Sequence, residues 1–292
     1  MKDATLERGI GLFNHVGVVA RPDRREALEF AVKLVKHLED RGRKVFLEPK
    51  LAQHANRLND ALSLEEMRVD LIVTVGGDGT ILRTCLMIPK PEPPILAVNM
   101  GVRGFLTEVA PKDAIEALDR CLEGRFELER CMKLASFMGG VRLPDALNEV
   151  FITSRALAKT MYAKVQKNGE TVAKFRSDGV VVASQAGSTG YSLSAGGPIL
   201  DPSVDALVLT PICPLSVFHP VVFPAKSTIS VELIKPKSAT VVIDGHYQTE
   251  MEPKKPRITI TKSEHETSFI RLKGDFYRRL KGRLLFARGR EL

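Results

Sequence analysis

A short glycine-rich segment, Gly76-Gly77-Asp78-Gly79, contains residues whose types and spacing could do chemistry. Glycines let the backbone turn sharply and expose N–H groups to phosphate oxygens, and the N-terminus of a following helix favours an anion. A carboxylate in such a loop repels phosphate unless it serves a metal or accepts a proton from an attacking hydroxyl. Asp78 is therefore a candidate proton acceptor in phosphoryl transfer. The alternative is a tight turn whose aspartate only caps the helix.

A second segment with chemical potential covers residues 187–198, which read Gly-Ser-Thr-Gly-Tyr-Ser-Leu-Ser-Ala-Gly-Gly-Pro. Such a stretch can enclose a polar ligand with hydroxyls, backbone N–H groups and one flat ring, that of Tyr191. A flexible surface loop is the alternative interpretation. The apolar residues on both sides, at 180–182 and 199–200, favour the ligand-binding interpretation.

The elements that position the first segment alternate between strand and helix periodicity, which is typical of an α/β layer. The glycine segment that contains Asp78 comes directly after a predicted strand at 71–75, and a helix is predicted from Thr80. The other predicted strands are 15–20, 44–48 and 95–99, and the other helices are 24–41 and 112–122. The inward-facing residues of the last helix are expected to be Ala114, Ile115, Leu118 and Leu122.

After about residue 125 the pattern changes to short alternating runs separated by turn residues such as Asn168-Gly169 and Asp244-Gly245. The strands predicted there are 161–166, 171–175, 180–183, 227–234, 239–243 and 257–261. We therefore expect an α/β, Rossmann-like domain at 1–125, joined by a returning C-terminal segment at 270–292. A β-rich, β-sandwich-like domain is expected at 126–269.

Composition excludes several classes of protein. The 292 residues include 44% hydrophobic ones, yet no apolar run is long enough to span a membrane and no signal peptide is evident. Four cysteines without CxxC spacing predict neither a zinc site nor a disulfide framework. We expect a cytoplasmic protein that binds no metal through its own side chains.

The net charge of +8 suits either nucleic acid or polyphosphate substrates. The basic residues are densest in the tail, where apolar residues at near-helical spacing predict a docked helix with a solvated basic face. A nucleic-acid role would call for several aromatic residues interleaved with the basic ones, whereas Phe286 is the one aromatic residue between Arg278 and Arg290. The basic residues of the tail are Arg278, Arg279, Lys281, Arg283, Arg288 and Arg290.

With the two segments above, three further features complete a pattern: Asn99, residues 101–107, and the pair Asn148-Glu149. The sequence resembles the NAD kinase family, in which a GGDG loop, an Asn-Glu pair and a GSTxYSLSAGGP segment occur in this order. The resemblance covers the chain from about Val16 to its C-terminus. The GGDG element is shared with lipid kinases and phosphofructokinase-like enzymes, so the serine-rich segment is the specific part.

The resemblance implies ATP-dependent phosphorylation of the 2′-hydroxyl of the adenosine ribose of NAD, which gives NADP. ATP would carry a divalent metal ion such as Mg²⁺, and the enzyme would assemble as a homodimer or homotetramer. Asp78 would be the catalytic proton acceptor in the phosphate loop Gly76, Gly77, Asp78 and Gly79. The residues implied to bind NAD are Asp78, Gly79, Arg83, Phe105, Asn148, Glu149, Lys159, Arg176, Asp178, Ala186, Thr189, Gly190, Tyr191, Ser192, Leu193 and Ser194.

The chain departs from the family pattern at a few positions. The family usually has Thr-Pro-Thr before Gly187 and an alanine before the tyrosine, where this chain has Ser184-Gln185-Ala186 and Gly190. A later Asp-Gly-Gln element reads Asp-Gly-His here, with His246 in the last place. Two alternatives to the NAD kinase hypothesis stay open: a lipid kinase that uses the same loop, and a non-catalytic sensor of pyridine nucleotides.

Overall fold

The structure is a computed structural model that describes residues 13–101, 104–156, 159–235, 238–254, 256–272, 276–277 and 280–281. Most of the basic tail helix predicted above lies outside these residues. The chain divides into two compact units. The first contains the described residues of 13–81, 93–129 and those from 268 onward, and the second contains 82–92 and 130–267.

The first unit is built around parallel strands covered by helices. Its strands pair in the order β2-β1-β3-β4, with every pair parallel. The apolar residues of these strands other than Phe46 are buried, which explains why the strands read as nearly continuous hydrophobic runs. In chain order the elements are β1 (His15–Ala20), α1 (Arg25–Asp40), β2 (Lys44–Leu47), α2 (Pro49–His54), β3 (Leu71–Gly76), α3 (Asp78–Met87), β4 (Ile95–Asn99) and α4 (Ala114–Leu122).

Helix α1 shows how sequence produces this layer. Its buried residues recur every three or four positions, so that one stripe faces the sheet, and Gly42 follows the helix with a φ of 71°. The last helix differs in one detail from the prediction. Ile115, which was expected inward, is 40% exposed, whereas the buried residues Ala114, Ala117, Leu118 and Cys121 recur at spacings of three and one and form the inner stripe of α4.

The second unit consists almost wholly of strands. Strand β5 begins in the first unit and continues in the second. Strand β16 begins in the second unit, and its last four residues belong to the first. The elements are β5 (Glu127–Met138), β6 (Val141–Arg142), β7 (Glu149–Ser154), β8 (Met161–Lys167), β9 (Glu170–Ser177), β10 (Gly179–Ala183), α5 (Tyr191–Ser194), β11 (Ala206–Ile212), β12 (Val221–Pro224), β13 (Ile229–Lys235), β14 (Ala239–Ile243), β15 (Tyr247–Met251) and β16 (Arg257–Arg271).

Within the second unit the strands form two sheets with one core between them. One is antiparallel, in the order β12-β11-β10-β7-β14-β15, and the other contains β13, β8 and β9 beside β16. Ile152 and Val180 of the first sheet share a buried cluster with Val165 and Val231 of the second. This is a β-sandwich arrangement. The predicted fold class, an α/β domain followed by a β-rich domain, is confirmed.

Local signals predicted some elements well, one with the wrong end, and others, among them β5, β7 and β11, not at all. Asn168 and Gly169 have φ values of 52° and 88° and join β8 to β9 in a two-residue hairpin turn, as the Asn-Gly pair predicts. Strand β16 extends ten residues beyond the predicted end at residue 261. Polar residues in this stretch interrupt the apolar pattern from which a strand is predicted. Ser263 and Thr267 are nevertheless buried, because their hydroxyls donate hydrogen bonds to Asp145 and Glu92.

No helix in the described part of the chain is both long and apolar enough to cross a membrane. No disulfide links the four cysteines, all of which lie among the described residues.

Candidate active site

Asp78 lies at the first turn of α3, directly after β3. Its carboxylate accepts hydrogen bonds from the backbone N–H groups of Phe105, at 2.9 Å, and Leu106, at 3.2 Å. These two donors orient the carboxylate from a segment 27 and 28 residues away in sequence. A carboxylate held beside a glycine loop is a group that can accept the proton of a substrate hydroxyl.

Two glycines beside Asp78 allow close packing that a larger residue would prevent. A Cβ at Gly104 would lie 2.1 Å from Oγ1 of Thr107 and 2.9 Å from Oδ1 of Asp78. A Cβ at Gly76 would lie 2.2 Å from Oγ1 of Thr80. Gly77 differs, since a Cβ there would meet no atom within 4 Å. The loop is therefore packed on one side and open at Gly77, which is what close approach of a phosphate requires.

The Asn148-Glu149 pair stands at the start of β7 in the second unit. One buried carboxylate, that of Asp244, accepts the backbone N–H groups of Leu147 at 2.6 Å, Asn148 at 2.8 Å and Glu149 at 2.9 Å. Asp244 belongs to the turn between β14 and β15, with a φ of 48°. Sequence reasoning assigned Asp244 only a turn and missed these contacts, although the Asp-Gly-His element could have drawn attention to it.

The loop before the serine-rich segment contacts the same stretch of chain. Ser184 donates its hydroxyl to the carbonyl of Leu147 at 2.5 Å and its N–H to the carbonyl of Asn148 at 2.8 Å. A Cβ at Gly187 would lie 2.0 Å from the carbonyl oxygen of Asn148. The serine-rich segment and the Asn-Glu pair, which the sequence predicts as parts of one site, therefore lie side by side.

The serine-rich segment is ordered by its own hydroxyls. It forms a 3₁₀ turn at Ala186–Thr189 and the short helix α5. The hydroxyl of Ser188 donates to the Gln185 carbonyl at 2.6 Å, and the hydroxyls of Ser192 and Thr210 are 2.7 Å apart. These buried hydroxyls hold the segment in shape rather than pointing outward, which excludes the flexible-loop interpretation.

Tyr191 is placed differently from the buried hydroxyls. Its ring is 40% exposed and packs edge-on against Phe151, with the ring centroids 5.1 Å apart. A fixed ring with one exposed face is suited to stacking on a flat ligand group.

Glu149 has an altered acidity. Burial, followed by the nearby charge of Asp244, raises the pKa of its carboxyl to about 8, and the backbone N–H of Tyr191 opposes this shift. Neither Oε2 of Glu149 nor Oδ1 of Asn148 has a hydrogen-bond partner among the described residues. Both side chains approach Gly190, where a Cβ would lie 3.0 Å from Oε2 of Glu149 and 3.3 Å from Nδ2 of Asn148. The pair thus offers polar atoms that a ligand could use.

The remaining predicted ligand residues occupy two places. Lys159, Arg176 and Asp178 are exposed around one end of the β8–β9 hairpin, and the Arg176 guanidinium lies 5.8 Å from the centre of the Tyr162 ring. Arg83 is on α3, five residues after Asp78. In terms of the two units, Asp78, Gly79 and Phe105 belong to the first. The second contains Arg83, Asn148, Glu149, Lys159, Arg176, Asp178, Ala186, Thr189, Gly190, Tyr191, Ser192, Leu193 and Ser194.

The described residues contain no group of three or more histidine, cysteine, aspartate or glutamate side chains arranged to hold a metal ion. Asp78 does offer carboxylate oxygens at the glycine loop. Oxygen donors of this kind suit Mg²⁺, which is usually held by one or two carboxylates together with substrate phosphates.

Comparison with known proteins identifies the family of the chain. Residues 16–126 match the family described as ATP-NAD kinase N-terminal domain, and residues 147–272 match the ATP-NAD kinase C-terminal domain. The chain is 41% identical to the NAD kinase of Methanothermobacter thermautotrophicus over 273 residues, which cover 92% of this chain and 96% of that protein. It is 40% identical to the NAD kinase of Pyrococcus furiosus over 265 residues, 89% and 95% of the two chains.

Solved structures show the same relationship. An NAD kinase from Archaeoglobus fulgidus, crystallised in complex with ATP, aligns with a TM-score of 0.77 and 32% identity over 93% of this chain and 98% of that chain. Yeast NADH kinase complexed with NADH aligns with a TM-score of 0.86 over 97% and 89% of the two chains. Its identity is 23%, so it supports the fold alone. The family predicted from the sequence motifs is confirmed, and the chain belongs to the ATP-NAD kinase family.

Proposed function

We propose that this chain converts NAD to NADP by transferring the γ-phosphoryl group of ATP to the 2′-hydroxyl of the adenosine ribose. Membership in the ATP-NAD kinase family assigns the reaction class. The observation that carries the assignment of a catalytic residue is the carboxylate of Asp78, held by two backbone N–H groups beside the glycine loop.

In the proposed step, the 2′-O–H bond breaks and its proton passes to the carboxylate of Asp78. The 2′-oxygen forms a bond to the γ-phosphorus while the bond from that phosphorus to the β–γ bridging oxygen breaks, and ADP leaves. Such transfers depend on positioning and on stabilisation of charge rather than on covalent chemistry by the protein. Asp78 suits this role because its orientation is fixed before the substrate arrives.

The proposed adenosine site is the Asn148-Glu149 pair. The amide of Asn148 can both donate and accept hydrogen bonds. Because the pKa of Glu149 is raised to about 8, its carboxyl carries a proton at neutral pH and can donate to a ribose or base acceptor. Tyr191 supplies an exposed ring face for the base. Gly79, Arg83, Phe105, Lys159, Arg176, Asp178, Ala186, Thr189, Gly190, Ser192, Leu193 and Ser194 complete the proposed set of ligand residues.

ATP is the proposed phosphoryl donor, in line with the Archaeoglobus relative that was crystallised with ATP. Mg²⁺ would enter on the triphosphate, where it neutralises charge on the β- and γ-phosphates. A homodimer or homotetramer in the cytoplasm is part of the same proposal, and light scattering of the purified protein would test the oligomeric state.

The decisive experiment measures NADP formation from NAD and Mg-ATP by the purified protein, with NADH and polyphosphate as parallel substrates. We expect NADP from the wild type, and a rate of NADP formation about 10²- to 10⁴-fold lower from Asp78→Asn. Equal NADP formation by the two proteins would remove Asp78 from the mechanism. Tight NAD binding without turnover in the wild type would instead favour a pyridine-nucleotide sensor.

A further inference from the structure

We propose that Asp244 is a positioning residue for the NAD site: its carboxylate holds residues 147–149 so that the side chains of Asn148 and Glu149 can meet the adenosine. The inference rests on the proposed function, because it assumes that NAD binds at this pair. Asp244 itself is 3% exposed, so it acts through its neighbours rather than by touching ligand.

The contacts of Asp244 go beyond what its turn requires. Both carboxylate oxygens are used, since Oδ2 accepts the N–H of Leu147 and Oδ1 accepts those of Asn148 and Glu149. The N–H of Asp244 in turn donates to the carbonyl of Glu149 at 3.1 Å. A residue with φ near 48° could be asparagine or glycine as far as the turn is concerned. Only an ionised carboxylate provides two acceptor oxygens for three donors.

The backbone carbonyl groups of residues 147 and 148 are also hydrogen-bonded, by Ser184. Ser184 bonds to the carbonyls of Leu147 and Asn148, and its hydroxyl also accepts the N–H of Gly187 at 3.1 Å. The backbone of this stretch is therefore bonded on both sides. The atoms that lack partners among the described residues are on the side chains, at Oδ1 of Asn148 and Oε2 of Glu149. A segment whose backbone groups are hydrogen-bonded, while two of its side-chain oxygens have no hydrogen-bond partner among the described residues, is arranged for contact with a ligand.

The charge of Asp244 adds an electrostatic consequence. Burial raises the pKa of Asp244, and its three N–H bonds and the charge of Lys133 oppose that shift. Burial also raises the pKa of Glu149, and the charge of Asp244 adds to it. The carboxylate of Asp244 accepts three backbone N–H groups, whereas that of Glu149 receives one, from Tyr191, so hydrogen bonds stabilise the charged form of Asp244 more than that of Glu149. Glu149 is thus the member of the pair that keeps its proton at neutral pH.

The test is Asp244→Asn, which keeps the size and turn preference of the residue but places an N–H₂ group where a backbone N–H now donates. We expect the Kd for NAD, measured by calorimetry, to rise roughly 10- to 100-fold. The kcat at saturating NAD should change much less, because Asp78 is untouched. Loss of the Asp244 charge should also move the alkaline limit of NAD binding to lower pH than the wild-type value near 8.

A matched control is available in another hairpin. Asn168 also has positive φ, at 52°, and its side chain accepts a backbone N–H, that of Thr228 at 2.9 Å. Asn168→Gly and Asp244→Gly each remove such an acceptor from a turn that glycine tolerates. Both should lower the melting temperature, but only Asp244→Gly should weaken NAD binding.

Asp244→Glu separates charge from geometry, since it keeps the carboxylate charge while displacing the two acceptor oxygens. It should weaken NAD binding but keep the wild-type pH profile. The proposal is overturned if the Asp244 variants lose thermal stability yet bind NAD with the wild-type Kd and pH profile. A wild-type protein that binds no NAD would refute the proposed function instead, and calorimetry on the wild type distinguishes the two.

Discussion

Asp78 and Phe105 are joined by a hydrogen bond of 2.9 Å from the backbone N–H of Phe105 to Oδ2 of Asp78. The bond connects the glycine loop after β3 with the segment that follows β4. It means that backbone donors from a distant segment take part in orienting the proposed catalytic carboxylate. A change in the backbone of residues 104–107 should therefore change the orientation of the Asp78 carboxylate.

Replacement of Asp78 by asparagine should lower kcat by about 10²- to 10⁴-fold, because an amide cannot accept the proton of the 2′-hydroxyl. The Kd for NAD should stay within about threefold, since Asn keeps an oxygen for the N–H of Phe105. Single-turnover kinetics and calorimetry measure the two quantities. Asp23→Asn, at an exposed ion pair with Arg21, is the control and should behave as wild type. Unchanged turnover by Asp78→Asn would contradict the mechanism.

Replacement of Gly104 by alanine should disturb the carboxylate without touching it chemically. The new Cβ would come within 2.1 Å of Oγ1 of Thr107 and 2.9 Å of Oδ1 of Asp78, so these side chains must move. We expect kcat to fall about tenfold or more, since small misplacements at a reacting group are costly. Gly77→Ala should keep the wild-type free energy of unfolding, because its Cβ meets nothing within 4 Å, and should raise the KM for ATP. Equal kcat for wild type and Gly104→Ala would show that Asp78 tolerates displacement.

The two glycines of the serine-rich segment should respond differently to alanine. At Gly187 the added Cβ would meet backbone atoms of Asn148 at 2.0 and 2.5 Å, which cannot yield locally. The free energy of unfolding should fall by about 1–3 kcal/mol or more. At Gly190 the nearest atom is Oε2 of Glu149 at 3.0 Å, a side chain that can shift, so the loss should stay below about 1 kcal/mol. Urea denaturation of both variants compares them, and similar losses would show that Gly187 is not closely packed.

Glu149→Gln should stabilise the protein at alkaline pH. The folded pKa of Glu149, about 8, lies above the ordinary value of 4.5, so its favourable contribution is complete below pH 4.5 and is lost as pH rises through 8. Glutamine has no proton to lose and avoids this penalty. The variant should match wild type near pH 5 and exceed it by on the order of 3 kcal/mol at pH 9.

Urea denaturation at pH 5, 7 and 9 measures this difference for Glu149→Gln. Glu232→Gln is a suitable control: side-chain hydrogen bonds from Lys164 and Arg257 lower the pKa of Glu232, so its contribution is lost only in acid. Its difference from wild type should be constant over this pH range. A constant difference for Glu149→Gln as well would mean that Glu149 is ionised throughout.

Glu92→Gln should destabilise the second unit strongly. The buried carboxylate of Glu92 pairs with the ammonium of Lys133 at 2.5 Å and with that of Lys90, and it accepts the hydroxyl of Thr267 at 2.5 Å. Burial alone would lower the pKa of Lys133, but the charge of Glu92 raises it. Removing the carboxylate charge leaves two ammonium groups facing each other, at a cost of about 3–5 kcal/mol.

Chemical denaturation measures the effect of Glu92→Gln, and the double variant with Lys133→Met should recover part of the loss. No recovery in the double variant would mean that repulsion between Lys90 and Lys133 is not the cause.

The sequence alone predicted the elements and the chemistry that depend on neighbouring residues. Alternating periods placed β1, α1 and β4, the Asn-Gly pair placed the β8–β9 turn, and the glycine loop stood where β3 meets α3. These signals are local, because helix and strand periods and turn preferences act over a few residues. The family motifs added the kinase class, since Asp78 and the serine-rich segment keep their order along the chain.

The tertiary structure alone decided the contacts between distant segments. Asp244 meets Asn148 across 96 residues because β14 pairs with β7, and Gly187 packs on Asn148 because β10 pairs with β7 on its other side. Strand β16 continues beyond its predicted end because buried partners satisfy its serine and threonine hydroxyls. Strand register and burial of polar groups depend on the whole chain, so no local pattern contains them.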